Sequence, residues 1–255
     1  PPTPPPRRST PLPPQPTATG AVIVHTPDSA LRIFAIEHEW PRVAEWFAAR
    51  GVAAFVLKYR VADTGPVDID FPVLLAAAFA EPSDRPVLER MTDGIGPLAV
   101  ADAHRAMDVV REHHDEWVVE PNRLGFLGFS AGGYLAVQLA IDADPARRPA
   151  VVAPIYPGIS MHTDVPADAP PLFSVVAEDD PICVECTKAL VAAWNAAGRP
   201  AELHTYPTGS HGFGLANDSR ATHPWTDPSQ PWPTHLAAPS PPSRHPRGGP
   251  PNCAL

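Results

Sequence analysis

The chain has 255 residues and a formal net charge of −9, a size that suits one α/β domain. The negative balance argues against a nucleic-acid partner and against a polybasic membrane anchor. The 44% apolar content suffices for a core, yet no apolar run reaches the ~20 residues of a membrane helix. Three cysteines, Cys183, Cys186 and Cys253, are too few for a disulfide scaffold. No N-terminal stretch has the basic start, apolar centre and small-residue cleavage site of a signal peptide, so a cytoplasmic protein is the expectation. Because the chain begins at Pro1 rather than Met, that expectation concerns only the residues present.

The 37 prolines are unevenly spread. They crowd into residues 1–17 and 227–255, and proline removes a backbone donor and fixes φ. Both ends therefore read as Pro-rich tails, the second one disordered, flanking one folded domain over residues 18–226. No internal repeat is evident.

Within the domain, strands and helices alternate. Residues 21–25 (AVIVH) read as a buried strand. Residues 38–50 read as a helix, with Val43, Trp46 and Phe47 at helical spacing and Gly51 as its stop. Residues 52–59 (VAAFVLKY) are the next strand. The stretch 63–90 holds LLAAAFA, helical between Pro-rich turns, and is expected to overhang the site. Residues 98–114 form an amphipathic helix with Ala99, Ala103, Met107 and Val110 on one face. A strand over 123–129 (RLGFLGF) leads into a helix over 131–141 that is apolar nearly all round. Strands follow at 150–155 and 171–177, then a helix over 184–197 closed by Gly198, and a strand over 201–206. Such alternation predicts a parallel sheet with helices on both faces.

The chemistry concentrates at Gly128-Phe129-Ser130-Ala131-Gly132-Gly133. Gly-x-Ser-x-Gly between a buried strand and a buried helix is the setting of a nucleophile elbow. The turn is too tight for a Cβ two residues either side of the serine, and the next helix aims its N-terminal dipole at developing negative charge. A serine hydroxyl needs a base that a carboxylate orients, and on this layout the acid and the base follow in that order. Asp179-Asp180-Pro181 lies just past a predicted strand, and Pro181 biases Asp180 towards extended backbone. Asp180 is the preferred acid and Asp179 the alternative. His211, in the glycine-rich Gly209-Ser210-His211-Gly212-Phe213-Gly214, completes the order. The other ten histidines have plainer placements, such as His204 within a strand and His113 and His114 at a helix end.

Taken together, AIEHE, RGVAAFVLKYR, GIGPLAVADAHRAM, PNRLGFLGFSAGGYLA, VAEDDP and AELHTYPTGSHGFG resemble the serine α/β-hydrolases. The resemblance is to bacterial esterases related to acetyl-xylan and feruloyl esterases, and it runs from about residue 18 to residue 226. It implies a three-layer α/β-hydrolase fold, Ser130, Asp180 and His211 as triad, and the Ala131 backbone N–H as one oxyanion donor. It also implies a short-acyl ester substrate, such as an acetylated carbohydrate, with no cofactor.

The chain departs from the family at two places. Relatives carry a glycine-rich loop after this first strand, whereas here Thr26-Pro27-Asp28-Ser29-Ala30 has no glycine. Ser29 and Ala30 stand where the remaining oxyanion donors are expected, and Asp28 brings a negative charge towards the developing anion. Relatives also end in a helix that Pro228, Pro231 and Pro233 forbid here. A serine peptidase of the same fold and a catalytically impaired module are the competing readings. A lone Cys183-x-x-Cys186 is weak evidence for zinc, and Glu37-His38-Glu39 opens a helix, so no metal is assigned.

Overall fold

Among the described residues six short segments form one sheet: β1 (Val22–Thr26), β2 (Ala53–Val56), β3 (Leu124–Phe129), β4 (Val152–Ile155), β5 (Leu172–Ala177) and β6 (Ala201–Tyr206). They lie in the order β2-β1-β3-β4-β5-β6, and every neighbouring pair is parallel. A computed structural model describes residues 19–29, 31, 36–62, 73, 90, 92–158 and 164–215, with residues 36–41 as backbone alone. Both Pro-rich tails, Ala30, and the stretch 63–90 apart from Val73 and Arg90 lie outside the described residues.

The first five strands are buried almost throughout because both faces of the sheet are covered there. By contrast β6 (AELHTY), the last strand of the described sheet, is half-buried and carries Glu202, His204 and Thr205. In β1 and β3 alternation divides the residues: Ile23, Leu127 and Phe129 join one apolar cluster, whereas Val22, Val24, Leu124 and Phe126 join the other. In β4 and β5 the first cluster takes both faces, Val175 and Val176 alike. The first cluster takes Val43, Ala44 and Phe47 from α1 (Ile36–Ala48). The second takes Ala99, Ala103, Met107 and Val110 from α2 (Gly96–Glu112), followed by the short α3 (His114–Trp117). The helix α4 (Ala131–Ala140) gives Val137 and Ala140 to the first and Leu135, Ala136 and Leu139 to the second. That double duty explains a helix apolar nearly all round. In α5 (Val184–Ala196), Leu190, Val191 and Trp194 pack on the first cluster. The buried Trp194 indole N–H donates to the Pro170 carbonyl at 2.9 Å, which satisfies the polar end of the largest buried side chain.

The elements follow the sequence reading with shifted ends. The second strand stops at Val56 instead of running to Tyr59. Among the described residues it is an edge strand, with a partner on one side only. After Leu57, which donates to the His25 carbonyl at 2.9 Å, the chain leaves the sheet, and the Tyr59 hydroxyl reaches the loop after β1 instead. The helix expected over 98–114 begins two residues earlier, with a proline in its first turn, and ends at Glu112. Val118, at φ 53°, closes the separate turn α3. Among the described residues no helix is long and apolar enough to cross a membrane.

The strand order reverses at β1. The chain leaves β1 for β2 on one side and returns as β3 on the other. Loops at the carboxyl ends of β1 and β3 thus diverge to opposite faces, which opens a crevice between them.

Candidate active site

Ser130 stands at that crevice, in the single residue between β3 and α4. Its backbone is at φ 48°, ψ −108°, a conformation that costs roughly 1–3 kcal/mol for a residue with a side chain. The surroundings impose it. Ser130 N–H donates to the Ile155 carbonyl at 3.0 Å, and its own carbonyl accepts from Tyr134 and Gly158, both at 3.0 Å. The flanking glycines are steric necessities. A Cβ on Gly128 would be driven into the Gly132 carbonyl, one on Gly132 into Thr26 Oγ1, and one on Gly133 would stand 2.8 Å from Pro157 Cα.

His211 reaches the serine from the loop after β6. Its Nε2 lies 2.8 Å from Ser130 Oγ, and its Nδ1 lies 2.9 Å from Asp180 Oδ2. The other Asp180 oxygen accepts from the backbone N–H groups of Ile182 and Cys183 at 2.8 and 2.9 Å, so both oxygens are engaged. Asp179, the alternative acid, turns elsewhere: its Oδ1 accepts from Ser210 N–H at 2.7 Å. One aspartate thus meets the imidazole and the other meets the backbone of the loop that carries it.

Tyr156, which the sequence reading did not single out, supports the same loop. It sits just past β4 at φ 35°, fully buried, with its ring edge-on to His211 at 5.1 Å and to Phe213 at 4.6 Å. Its hydroxyl accepts from Gly214 N–H at 3.0 Å. A left-handed non-glycine residue after a strand has no signature in composition or spacing.

Burial works to lower the His211 pKa, but the hydrogen bond with Asp180 and the charges of Asp28 and Asp180 outweigh it and hold the pKa above the ordinary histidine value. Asp180 is the complement. Burial disfavours its charge, yet the bond and charge of His211 and two backbone donors keep its pKa below the usual carboxylate value. Asp28 is itself buried, with Oδ2 4.0 Å from His211 Nε2, on the serine side of the ring.

The expected oxyanion residues are placed as follows. Ala131 is the first residue of α4, where backbone N–H groups lack intrahelical acceptors. Ser29 is buried and its hydroxyl lies 2.5 Å from the Tyr59 hydroxyl, while it accepts from Leu31 N–H at 2.9 Å. Tyr59 in turn donates to the Pro27 carbonyl at 3.1 Å. With that proton committed, Ser29 is the donor to Tyr59, and the chain of bonds pins the loop after β1. Ala30 lies outside the described residues. Among the described residues one group has the make-up to hold a metal ion: Asp180, Cys183 and His211, whose ligand atoms lie within 4.8 Å of one another.

Comparison with known proteins agrees with this architecture. An acetylxylan esterase of Xylanibacter ruminicola is 24% identical over 230 residues, which cover 77% of this chain and 42% of that protein. The chain thus spans less than half the length of that curated relative. The crystal structure of an acetyl ester-xyloside bifunctional hydrolase from Caldicellulosiruptor lactoaceticus matches 86% of this chain and 84% of its own, at 27% identity and a TM-score of 0.65. An α/β hydrolase enzyme from a Medee basin deep-sea metagenome library matches 86% of each chain at 21% identity and the same TM-score, which supports the fold. The sequence pattern of the dienelactone hydrolase family extends over residues 13–229, most of the chain. With the parallel six-stranded sheet and the serine at its crevice, this places the chain in the dienelactone hydrolase family.

Proposed function

We propose that this chain is a serine hydrolase of carboxylic esters with short acyl groups, acetylated carbohydrates among them. The observation that carries the reading is the unbroken relay from Ser130 Oγ through His211 to Asp180, at 2.8 and 2.9 Å. His211 Nε2 takes the hydroxyl proton as Ser130 Oγ attacks the ester carbonyl. Asp180 holds the proton on Nδ1 and stabilises the imidazolium that forms. The tetrahedral oxyanion is met by the Ala131 backbone N–H and by donors from the loop after β1, Ser29 and Ala30. Collapse expels the alcohol with the proton from His211, and water then cleaves the acyl-enzyme by the same relay in reverse. Every proton moves between groups of this chain, the substrate and water. The similarity to an acetylxylan esterase and to an acetyl ester-xyloside hydrolase supports a short acyl group.

Ser130→Ala is the test. Hydrolysis of p-nitrophenyl acetate is expected to fall by about 10⁴–10⁶ in kcat, with the circular dichroism spectrum unchanged. A fluorophosphonate probe should label the wild-type chain and leave the variant unlabelled. Wild-type turnover in Ser130→Ala would overturn the reading, and a folded wild-type chain that neither labels nor turns over would mark an inactive module.

A further inference from the structure

The cysteine pair takes on a different meaning once the chain is folded. Cys183 is the residue before α5 and Cys186 lies in its first turn, so the turn that Asp180 caps also carries both thiols. Both are buried and neither is in a disulfide, and the Cys186 thiol donates to the carbonyls of Cys183 and Pro157 at 3.3 and 3.4 Å. His211, 25 or more residues further along, is brought to the same place by the relay with Asp180. One carboxylate oxygen, one thiol sulfur and one imidazole nitrogen therefore converge, with every pair of ligand atoms within 4.8 Å.

We propose that Asp180, Cys183 and His211 form an inhibitory site for a soft divalent cation of the zinc class, which switches the relay off by occupying the position of the Nδ1 proton. The donor set is the one such ions prefer: thiolate, imidazole and carboxylate at about 2.3, 2.0–2.1 and 2.0–2.2 Å. Tetrahedral angles at those bond lengths put nitrogen and oxygen about 3.3 Å apart. They stand 2.9 Å apart in the hydrogen bond and need to open by some tenths of an ångström, while the sulfur, within 4.8 Å of both, settles about 3.6 Å from each. The Asp180 and Cys183 side chains are buried, and that of His211 is 8% exposed.

The consequence follows from the tautomer. Binding releases the Cys183 thiol proton to water and leaves sulfur as thiolate. The imidazole stays neutral but gives up its Nδ1 proton, so its single proton now sits on Nε2. An Nε2–H donates to Ser130 Oγ and cannot accept from it, and the serine loses its base. Hard cations such as Mg²⁺ and Ca²⁺ prefer all-oxygen shells and leave the relay intact.

This inhibition rests on the ester-hydrolase reading; the binding itself does not, and two measurements on the full chain separate them. In equilibrium dialysis one Zn²⁺ per chain is expected, removable by EDTA, with affinity at least tenfold weaker in Cys183→Ala. Cys183→Ser preserves the volume and serves should the smaller side chain unfold the protein. Hydrolysis of p-nitrophenyl acetate should fall in step with Zn²⁺ occupancy, recover with EDTA and ignore Mg²⁺. Each variant is compared with its own metal-free rate. Equal Zn²⁺ affinity in both cysteine variants and wild type would overturn the site. Zn²⁺ bound through Cys183 with hydrolysis undiminished would overturn the inhibition. A chain without esterase activity would defeat the functional reading alone, since dialysis still decides the site.

Discussion

Asp179 and Asp180 are neighbours past β5, but their carboxylates face different partners. Asp180 Oδ2 meets His211 Nδ1, and Asp179 Oδ1 accepts from the Ser210 backbone. An amide in place of Asp180 would present either an N–H₂ that clashes with the Nδ1 proton or an oxygen without charge, and would disturb the imidazole tautomer. Asp180→Asn is therefore expected to lower kcat for p-nitrophenyl acetate by about 10⁴. In Asp179→Asn the amide oxygen still accepts from Ser210 N–H, so the loss should stay within about tenfold, or about 1.4 kcal/mol. Steady-state kinetics of the two variants side by side decide the matter, and equal losses would show that Asp180 does not hold the base. Sequence alone narrows the acid to this pair. Both precede Pro181 after the same strand, and only the direction each side chain takes out of the turn distinguishes them.

At the scale of elements, the loop after β1 is where this chain differs most from what the resemblance implies. Ser29, Tyr59 and the Pro27 carbonyl fasten it by hydrogen bonds, and Leu31 is accommodated at φ 58° with its side chain buried. The loop thereby holds the buried Asp28 with its carboxylate 4.0 Å from His211 Nε2. Asp28, Asp180 and Cys186 are the charged or titratable groups that raise the His211 pKa against its burial. A base must be neutral to accept a proton, so hydrolysis should rise with pH only as the medium passes that elevated pKa, above the ordinary histidine value of 6.5. Asp28→Asn removes one of those charges while leaving the Ser29–Tyr59 fastening in place. The acid limb of its kcat/KM profile should move to lower pH than in wild type. Coincident limbs in a pH–rate comparison would mean that the carboxylate is not felt at the base. The sequence flagged Asp28 through the missing glycines, but the Tyr59 fastening depends on where the edge strand ends.

A further titratable group lies in the interior of the sheet. His25, on β1 between β2 and β3, is fully buried, and among the described residues neither ring nitrogen has a hydrogen-bond partner. Burial lowers its pKa to about 3. The unfolded chain therefore binds a proton at His25 below about pH 6.5 that the folded chain refuses until about pH 3. Stability is lost across that window as pH falls, by about 2 kcal/mol at pH 5 relative to pH 7. His211 has a raised pKa and contributes in the opposite sense, so the informative quantity is the difference between two proteins. Urea unfolding at pH 7 and pH 5 should show wild type losing about 2 kcal/mol more than His25→Leu. Parallel pH dependence in the two would show that His25 gains its proton in the folded state.

Local chemistry sufficed for the architecture: continuous apolar strands alternating with helices specify a parallel sheet covered on both faces, because no other arrangement buries such strands. It also sufficed to locate the elbow, since Gly128, Gly132 and Gly133 are required wherever a strand turns this sharply into a helix against Thr26 and Pro157. Tertiary structure alone decided what lies within ångströms of Ser130. His211 is 81 residues from the serine and 31 from Asp180, and distances of 2.8 and 2.9 Å arise only when the parallel order brings the ends of β3, β5 and β6 to one edge. The same closure sets Tyr156 behind the imidazole, Asp28 in front of it and Cys183 beside Asp180. Contacts between residues far apart in the chain depend on strand order and loop direction, and neither is encoded in the spacing of residues along a single segment.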